Sequence, residues 1–271
     1  MVPASYLYVP GDRPERFAKA LSSGAGGVIL DLEDAVALAA KADARAAVVD
    51  QLMKPAAIEL WVRVNSGDLG RADVEAVADL PGLTGVFVPK ATVASLEDLR
   101  AITDVPCCAL VESAVTLLEL PKLAAADGVV ALAMGEVDLA ADLGLEPSPN
   151  EHEMWPLRMQ VVVASVAAGR RAPIGPVHTS IHDLDELRHS TLALRRAGFE
   201  ARQAIHPTQV SVINEAMTPT EEEVERAEEL LRLADAADGG VCVDEHGRMI
   251  DEAVLRSARR SLDRRRAIEP N

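Results

Sequence analysis

Eight short apolar runs, each of strand length, alternate along the chain with stretches of helical spacing, and this alternation restricts the available folds more than any other feature. The runs are SYLYVP (5–10), GGVILDLE (26–33), ELWVRVN (59–65), GVFVPK (85–90), PCCALVES (106–113), GVVALAMGEVD (128–138), APIGPVHT (172–179) and ARQAIHP (201–207). Between them lie PERFAKALSS, KADARAAVVDQLMK, RADVEAVADL, SLEDLRAI, TLLELPKLAAA, MWPLRMQVVVASVAAG and DLDELRHSTLALRRAG. Nearly continuous apolar strands separated by amphipathic helices call for a parallel sheet covered by helices. A count that closes at eight predicts an α/β chain folded as a (β/α)8 TIM barrel over residues 1–217. A doubly wound open sheet is the competitor, and no G-x-G-x-x-G follows the first run to support it.

Beyond the eighth run the character changes. TPTEEEVERAEELLRLADAA (218–237) reads as an acidic helix with Glu221 to Glu223 in its first turn. GGVCVDEHGRMID reads as a hairpin turning at His246-Gly247, and EAVLRSARRSLDRRRAI as a basic terminal helix. Residues 218–271 therefore form a helical and hairpin extension of the same domain, outside the barrel count. Hydrophobic residues make up 49% of the chain but aromatic ones only 3%, so Ala, Val and Leu must supply most of the core. A net charge of −16 argues against a nucleic-acid binder, and an anionic ligand would need a local basic cluster. No apolar run reaches the ~18 residues of a membrane span, and the N-terminal stretch lacks signal-peptide character, so a cytoplasmic protein is expected. Cys107, Cys108 and Cys242 have neither disulfide nor zinc spacing.

A barrel places its chemistry at the carboxyl ends of the strands. The polar residues there are Arg13 after the first run, Asp31, Glu33 and Asp34 after the second, Arg63 and Asn65 after the third, and Lys90 after the fourth. Glu112 follows the fifth, Glu136 and Asp138 the sixth, His178 the seventh and His206 the eighth. Glu112 and Asp138 end adjacent strands and could converge on one hard cation such as Mg²⁺, with waters completing an octahedron. The alternative is that each caps a strand end or pairs with a cation. Arg63, among apolar neighbours, could grip a ligand carboxylate in bidentate fashion, or be the buried partner of Glu33 or Asp34. Arg13, Arg16 and Lys19 surround a helix start at Pro14 where a phosphate could bind, although such residues also make a solvated face. His206 in IHP reads as a hydrogen-bonded structural histidine. Lys90 is the sole candidate for a Schiff-base lysine, and no nucleophile elbow is present. Metal-assisted chemistry suits the carboxylate-rich mouth better.

These blocks together resemble the citrate lyase β-subunit-like branch of the HpcH/HpaI aldolase superfamily. The resemblance runs almost end to end, through SYLYVPGDRPERFAKA, GGVILDLEDAV followed by Lys41 and Arg45, WVRVN, VFVPKA, ALVESA, MGEVDLAADLG, AIHPTQV and GRMID. It implies that Glu112 and Asp138 are the Mg²⁺ ligands, with Glu33 and Asp34 in the outer shell of the ion. It further implies that Arg63 holds a keto-acid carboxylate and that Arg13 and Lys19, with Arg16 a weaker candidate, contact the CoA phosphates. Asp251 resembles a general acid or base delivered from the tail of a neighbouring subunit in a homotrimer or hexamer. Two positions depart from the family pattern: Val137 stands where glutamate commonly precedes the aspartate, and Ala253 where proline follows Asp251. The activity implied is a Mg²⁺-dependent carbon–carbon lyase acting on a 3-hydroxy-3-carboxyacyl-CoA thioester of citryl-, citramalyl- or malyl-CoA type. Its products would be a keto acid and an acyl-CoA, and its reverse a Claisen-type condensation. The alternatives are a subunit of an acyl-carrier citrate lyase complex and a class II aldolase on free keto acids.

Overall fold

The computed structural model describes residues 3–236, 242–244 and 247–268. Eight parallel strands close into a barrel in chain order: β1 (Ser5–Pro10), β2 (Gly27–Asp31), β3 (Glu59–Arg63), β4 (Gly85–Val88), β5 (Cys107–Val111), β6 (Val129–Met134), β7 (Ile174–Gly175) and β8 (Ala201–Ala204). The ring is completed by β1 pairing with both β2 and β8. Around it run α1 (Phe17–Leu21), α2 (Lys41–Leu52), α3 (Gly67–Val77), α4 (Val93–Arg100), α5 (Ala114–Ala125), α6 (Glu136–Leu143), α7 (Trp155–Ala167), α8 (Leu184–Ala197) and α9 (Pro207–Met217). The fold expected from the alternation of runs is the fold found.

Strand residues alternate between two cores. One row of each strand, including Val28, Leu30, Leu60, Val62, Val86 and Ala109, packs outward under the helices. The other row points into the barrel, where Tyr6, Ile29, Trp61, Phe87, Cys108, Leu110 and Ile174 fill the lumen. The scarce aromatic residues are concentrated here. Tyr6, Trp61 and Phe87 meet edge to face, with centroids 5.4 to 6.5 Å apart, and plug the barrel. Gly27 and Gly85 make room for them: a Cβ at either position would lie 2.5 Å from the ring of Tyr6 or Trp61.

Two runs behave differently from their reading as strands. The sixth stops at Met134, and Glu136 to Asp138 open α6 instead of extending the strand. Gly135 interrupts the ladder, while Leu139 and Ala140 turn inward at helical spacing and Gly144 ends the helix at φ +65°. The seventh contributes only Ile174 and Gly175 to the sheet.

In the tail, α10 (Glu221–Ala236) and α11 (Glu252–Ile268) pack chiefly on each other, joined through the antiparallel pair β9 (Cys242–Val243) and β10 (Met249–Ile250). The hairpin is present as expected, with His246 of its turn outside the described residues. The far end of α11 is tied to the barrel by Arg264, which donates to the carbonyl of Phe199 at 3.3 Å, and by Arg265, which donates to that of Pro219 at 2.8 Å.

Candidate active site

On five of the eight strands the inward row ends in a polar residue at the barrel mouth, two positions beyond a lumen residue. Tyr8 follows Tyr6, Asp31 follows Ile29, Arg63 follows Trp61, Glu112 follows Leu110 and Gln203 follows Ala201. Asp31 and Arg63 are register partners on adjacent strands, and their side chains meet in a bidentate pair at 2.7 and 2.6 Å. The third guanidinium nitrogen, Nη1, lies 2.8 Å from Glu33 and 3.4 Å from Asp34. Beneath the guanidinium, the ring of Tyr8 stacks at 5.0 Å, and its hydroxyl donates to Gln203 at 2.8 Å. Burial acts against the charge on Arg63, but the hydrogen bonds and charge of Asp31 outweigh it and hold the pKa above the ordinary guanidinium value. Glu33 is less well compensated. Burial, only partly offset by Arg63, pushes its carboxyl up to about 7.

Opposite this cluster stand Glu112 and Asp138. Glu112 is 3% exposed, and one carboxylate oxygen accepts from the backbone N–H of Lys90 at 2.5 Å. Lys90 takes a positive φ of 46° to present that N–H, while its side chain is exposed to solvent, which removes the desolvation a Schiff-base lysine needs. Burial raises the pKa of Glu112; the Lys90 N–H works against this, and the charge of Asp138 adds to it. Asp138 reaches the mouth from the first turn of α6. Its neighbour Glu136 is held by Arg158 of α7 through two bonds of 2.6 Å. Arg158 is itself buried, stacks on Trp155 at 4.6 Å and pairs with Glu151 at 2.8 Å. Glu136 lines the cavity too, but its carboxylate is taken by Arg158, which fixes the rotation of α6 and leaves Asp138 as the carboxylate of this turn without a cation partner among the described residues.

Arg63, Asp34, Glu112 and Asp138 line one cavity of about 390 Å³, whose lining also includes Tyr8, Val137, Val177, Gln203 and Ile205. Among the described residues no group of three or more His, Cys, Asp or Glu side chains is poised around one point, so a cation here would have two protein carboxylates and complete its shell from water and ligand. That donor set fits Mg²⁺, which keeps several waters, and not a structural zinc.

The remaining expected residues lie elsewhere. Arg13 and Arg16 on the first βα connection and Lys19 within α1 are exposed and do not line the cavity; Arg13 and Arg16 have only loose contacts to Asp12 and Glu15, at 3.8 and 3.9 Å. Asp251 is exposed before α11, where its carboxylate accepts from the N–H of Val254 at 3.0 Å. His206 caps α9, accepting from the N–H of Thr208 at 3.3 Å, the structural role expected of it. Residues without an expected role also shape the site. Asp31 is the principal partner of Arg63, ahead of Glu33 and Asp34. Lys41 fastens the acidic loop by donating to the carbonyls of Leu32 and Glu33 at 2.7 and 2.6 Å. Tyr8 was signalled by its alternation with Tyr6, and Arg158 only by its place among apolar helix residues.

Comparison with known proteins gives the chain its relatives. The family model described as HpcH/HpaI aldolase/citrate lyase matches residues 4–207. A citrate lyase subunit beta-like protein from Mycobacterium tuberculosis H37Rv is 36% identical over 267 residues, which cover 96% of this chain and 94% of the relative. A (3S)-malyl-CoA thioesterase from Cereibacter sphaeroides is 32% identical over 273 residues, covering 97% and 95%. The crystal structure of CitE from Mycobacterium tuberculosis in complex with magnesium, acetoacetate and coenzyme A superposes with a TM-score of 0.82 at 33% identity, over 97% of each chain. Matched by the family model from before β1 to beyond β8, and by relatives along nearly its whole length, the chain belongs to the HpcH/HpaI aldolase/citrate lyase family as an enzyme of its citrate lyase β-subunit-like branch.

Proposed function

We propose that the protein is a Mg²⁺-dependent carbon–carbon lyase that cleaves a 3-hydroxy-3-carboxyacyl-CoA thioester of the citryl-, citramalyl- or malyl-CoA type. The observation that carries this reading is the convergence of one guanidinium, Arg63, and two carboxylates, Glu112 and Asp138, on a single cavity at the barrel mouth. Relatives support its thioester substrate and its metal: one is a (3S)-malyl-CoA thioesterase, and one structure holds magnesium with coenzyme A. Glu112 and Asp138 would hold Mg²⁺, with Glu33 and Asp34 bonding water in its outer shell. The bound ion would act as a Lewis acid, stabilising negative charge on substrate oxygens.

In the cleavage direction the bond between the hydroxyl-bearing carbon and the carbon next to the thioester breaks. The hydroxyl gives up its proton and becomes the ketone of the keto acid. The bonding pair passes to the thioester as its enolate, which takes a proton to become acyl-CoA. Arg63, fixed in plane by Asp31, would orient the substrate carboxylate through Nη1, with exposed Asp34 the partner it replaces. Asp251, brought by a neighbouring subunit in a trimer or hexamer, would supply the enolate's proton. Its place supports this. Along α11, 13 residues separate Asp251 from Arg264, roughly 20 Å of helix, so Asp251 stands that far from the point tied to its own barrel. Arg13, Lys19 and Arg16 would meet the CoA phosphates.

The test is mass spectrometry of reaction mixtures with citryl-, citramalyl-, malyl- and methylmalyl-CoA, with Mg²⁺ and with chelator. Chelator-sensitive release of a keto acid and an acyl-CoA is the expected result. Release of a free hydroxy acid and CoA would instead indicate thioester hydrolysis, and cleavage unaffected by chelator would remove the metal from the reaction.

A further inference from the structure

The lining of the cavity changes around the ring. Asp31, Asp34 and Arg63 come from β2, β3 and the loop after β2, Glu112, Glu136 and Asp138 from the end of β5 and the start of α6, and the apolar Val137, Val177 and Ile205 follow the neighbouring strands β6, β7 and β8, with Leu110 and Met134 below. Two of these apolar side chains serve no core. Val137 is 58% exposed and Ile205 41% exposed, yet both line the cavity. The position of Val137 is imposed by the elements around it: Glu136 is clamped by Arg158 and Leu139 is fully buried, so the residue between Glu136 and Asp138 is presented at the mouth. Among the described residues lining the cavity, Arg63 is the only cation.

We infer that Val137, Val177 and Ile205 select the substituent of the substrate: the keto acid handled here is a 2-oxoalkanoate carrying a small alkyl group, and not a dicarboxylic keto acid. The inference rests on the lyase reading above. If Arg63 takes the carboxylate next to the ketone, a second carboxylate would be placed against valine and isoleucine with no cation to meet it, which is costly. An alkyl group at the same place buries apolar surface on both sides. The matching thioester carries a methyl or ethyl group on its hydroxyl-bearing carbon, in place of a carboxymethyl group.

Calorimetric titration with 2-oxobutanoate and with freshly prepared oxaloacetate, each in saturating Mg²⁺, tests the wall without requiring turnover. Binding of 2-oxobutanoate at least ~10-fold tighter is expected, the discrimination typical of small groups in apolar pockets. Val137→Gln should reduce that ratio several-fold with Mg²⁺ affinity unchanged. Equal or tighter binding of oxaloacetate would place the second carboxylate on the free N–H groups that open α6, and would overturn the inference, as would failure of 2-oxobutanoate to bind. Thioester cleavage separates the two ideas. An alkyl preference in binding with no thioester cleaved defeats the lyase reading and leaves the wall assignment standing. Cleavage of a carboxymethyl-bearing thioester as fast as its methyl counterpart defeats the wall assignment alone.

Discussion

Glu112 lies in a position that burial alone would disfavour for a charge, two residues beyond Leu110 on the inward row of β5. Replacing it with the isosteric amide keeps the Lys90 contact and removes the charge. Glu112→Gln is therefore expected to abolish saturable Mg²⁺ binding in calorimetry and to lower kcat/KM by more than the ~10–100-fold typical of outer-shell partners. Wild-type Mg²⁺ affinity in that variant would remove Glu112 from the ion's shell. Glu33 makes a prediction about stability. With its carboxyl raised by burial from 4.5 to about 7, the folded chain keeps a proton that the unfolded chain has already lost. The native state therefore binds more protons across that window, and stability falls as pH rises through it and then levels off. In thermal unfolding with chelator present, Glu33→Gln should flatten this slope; an unchanged slope would assign it to another group. Arg63, Glu112 and Asp138 were legible in the sequence because each stands at or just beyond a strand's carboxyl end. The role of Asp31 was not. In a parallel strand both faces are apolar, so the sequence does not say which row faces inward, and three neighbouring acids look alike until the register sets Asp31 beside Arg63.

Helix α6 shows why one element escaped the reading. The apolar run of β6 ends at Met134, and the alternation Glu136, Val137, Asp138 that follows Gly135 is one a strand accommodates as well. The cue against it was Gly144 at the helix end, together with Leu139 and Ala140 at helical spacing. The distinction matters for geometry. On a strand, Glu136 and Asp138 would share a face; on the first turn of a helix they diverge, and although both line the cavity only Glu136 is tied to Arg158. Arg158 and Glu136 are positioning residues for Asp138. Glu136→Gln should weaken Mg²⁺ binding by about 10-fold, in the range of outer-shell changes, with the unfolding midpoint little altered because Glu151 still pairs with Arg158. Lost stability with unchanged Mg²⁺ affinity would mean that the clamp serves the fold alone.

At the scale of the molecule, the barrel was legible because its period repeats eight times, each strand reinforcing the next. The function of the tail was read only through the resemblance, because its elements stand outside the repeat and, within the chain, α10 and α11 pack chiefly on each other. Mixing Asp251→Asn protomers with Arg63→Ala protomers, each inactive alone, should restore part of the activity if sites are shared between subunits. No recovery in mixed assemblies would confine each site to one chain. The aromatic plug of Tyr6, Trp61 and Phe87 has a kinetic consequence. It turns the barrel into a vessel with one opening, so traffic runs last in, first out. Under the proposed reaction, a keto acid seated beside Arg63 would stay until the longer acyl-CoA had withdrawn above it, and in the cleavage direction the keto acid would be the final departure. It should inhibit competitively against the thioester substrate while acyl-CoA inhibits non-competitively, and the opposite pattern would reveal a second way out.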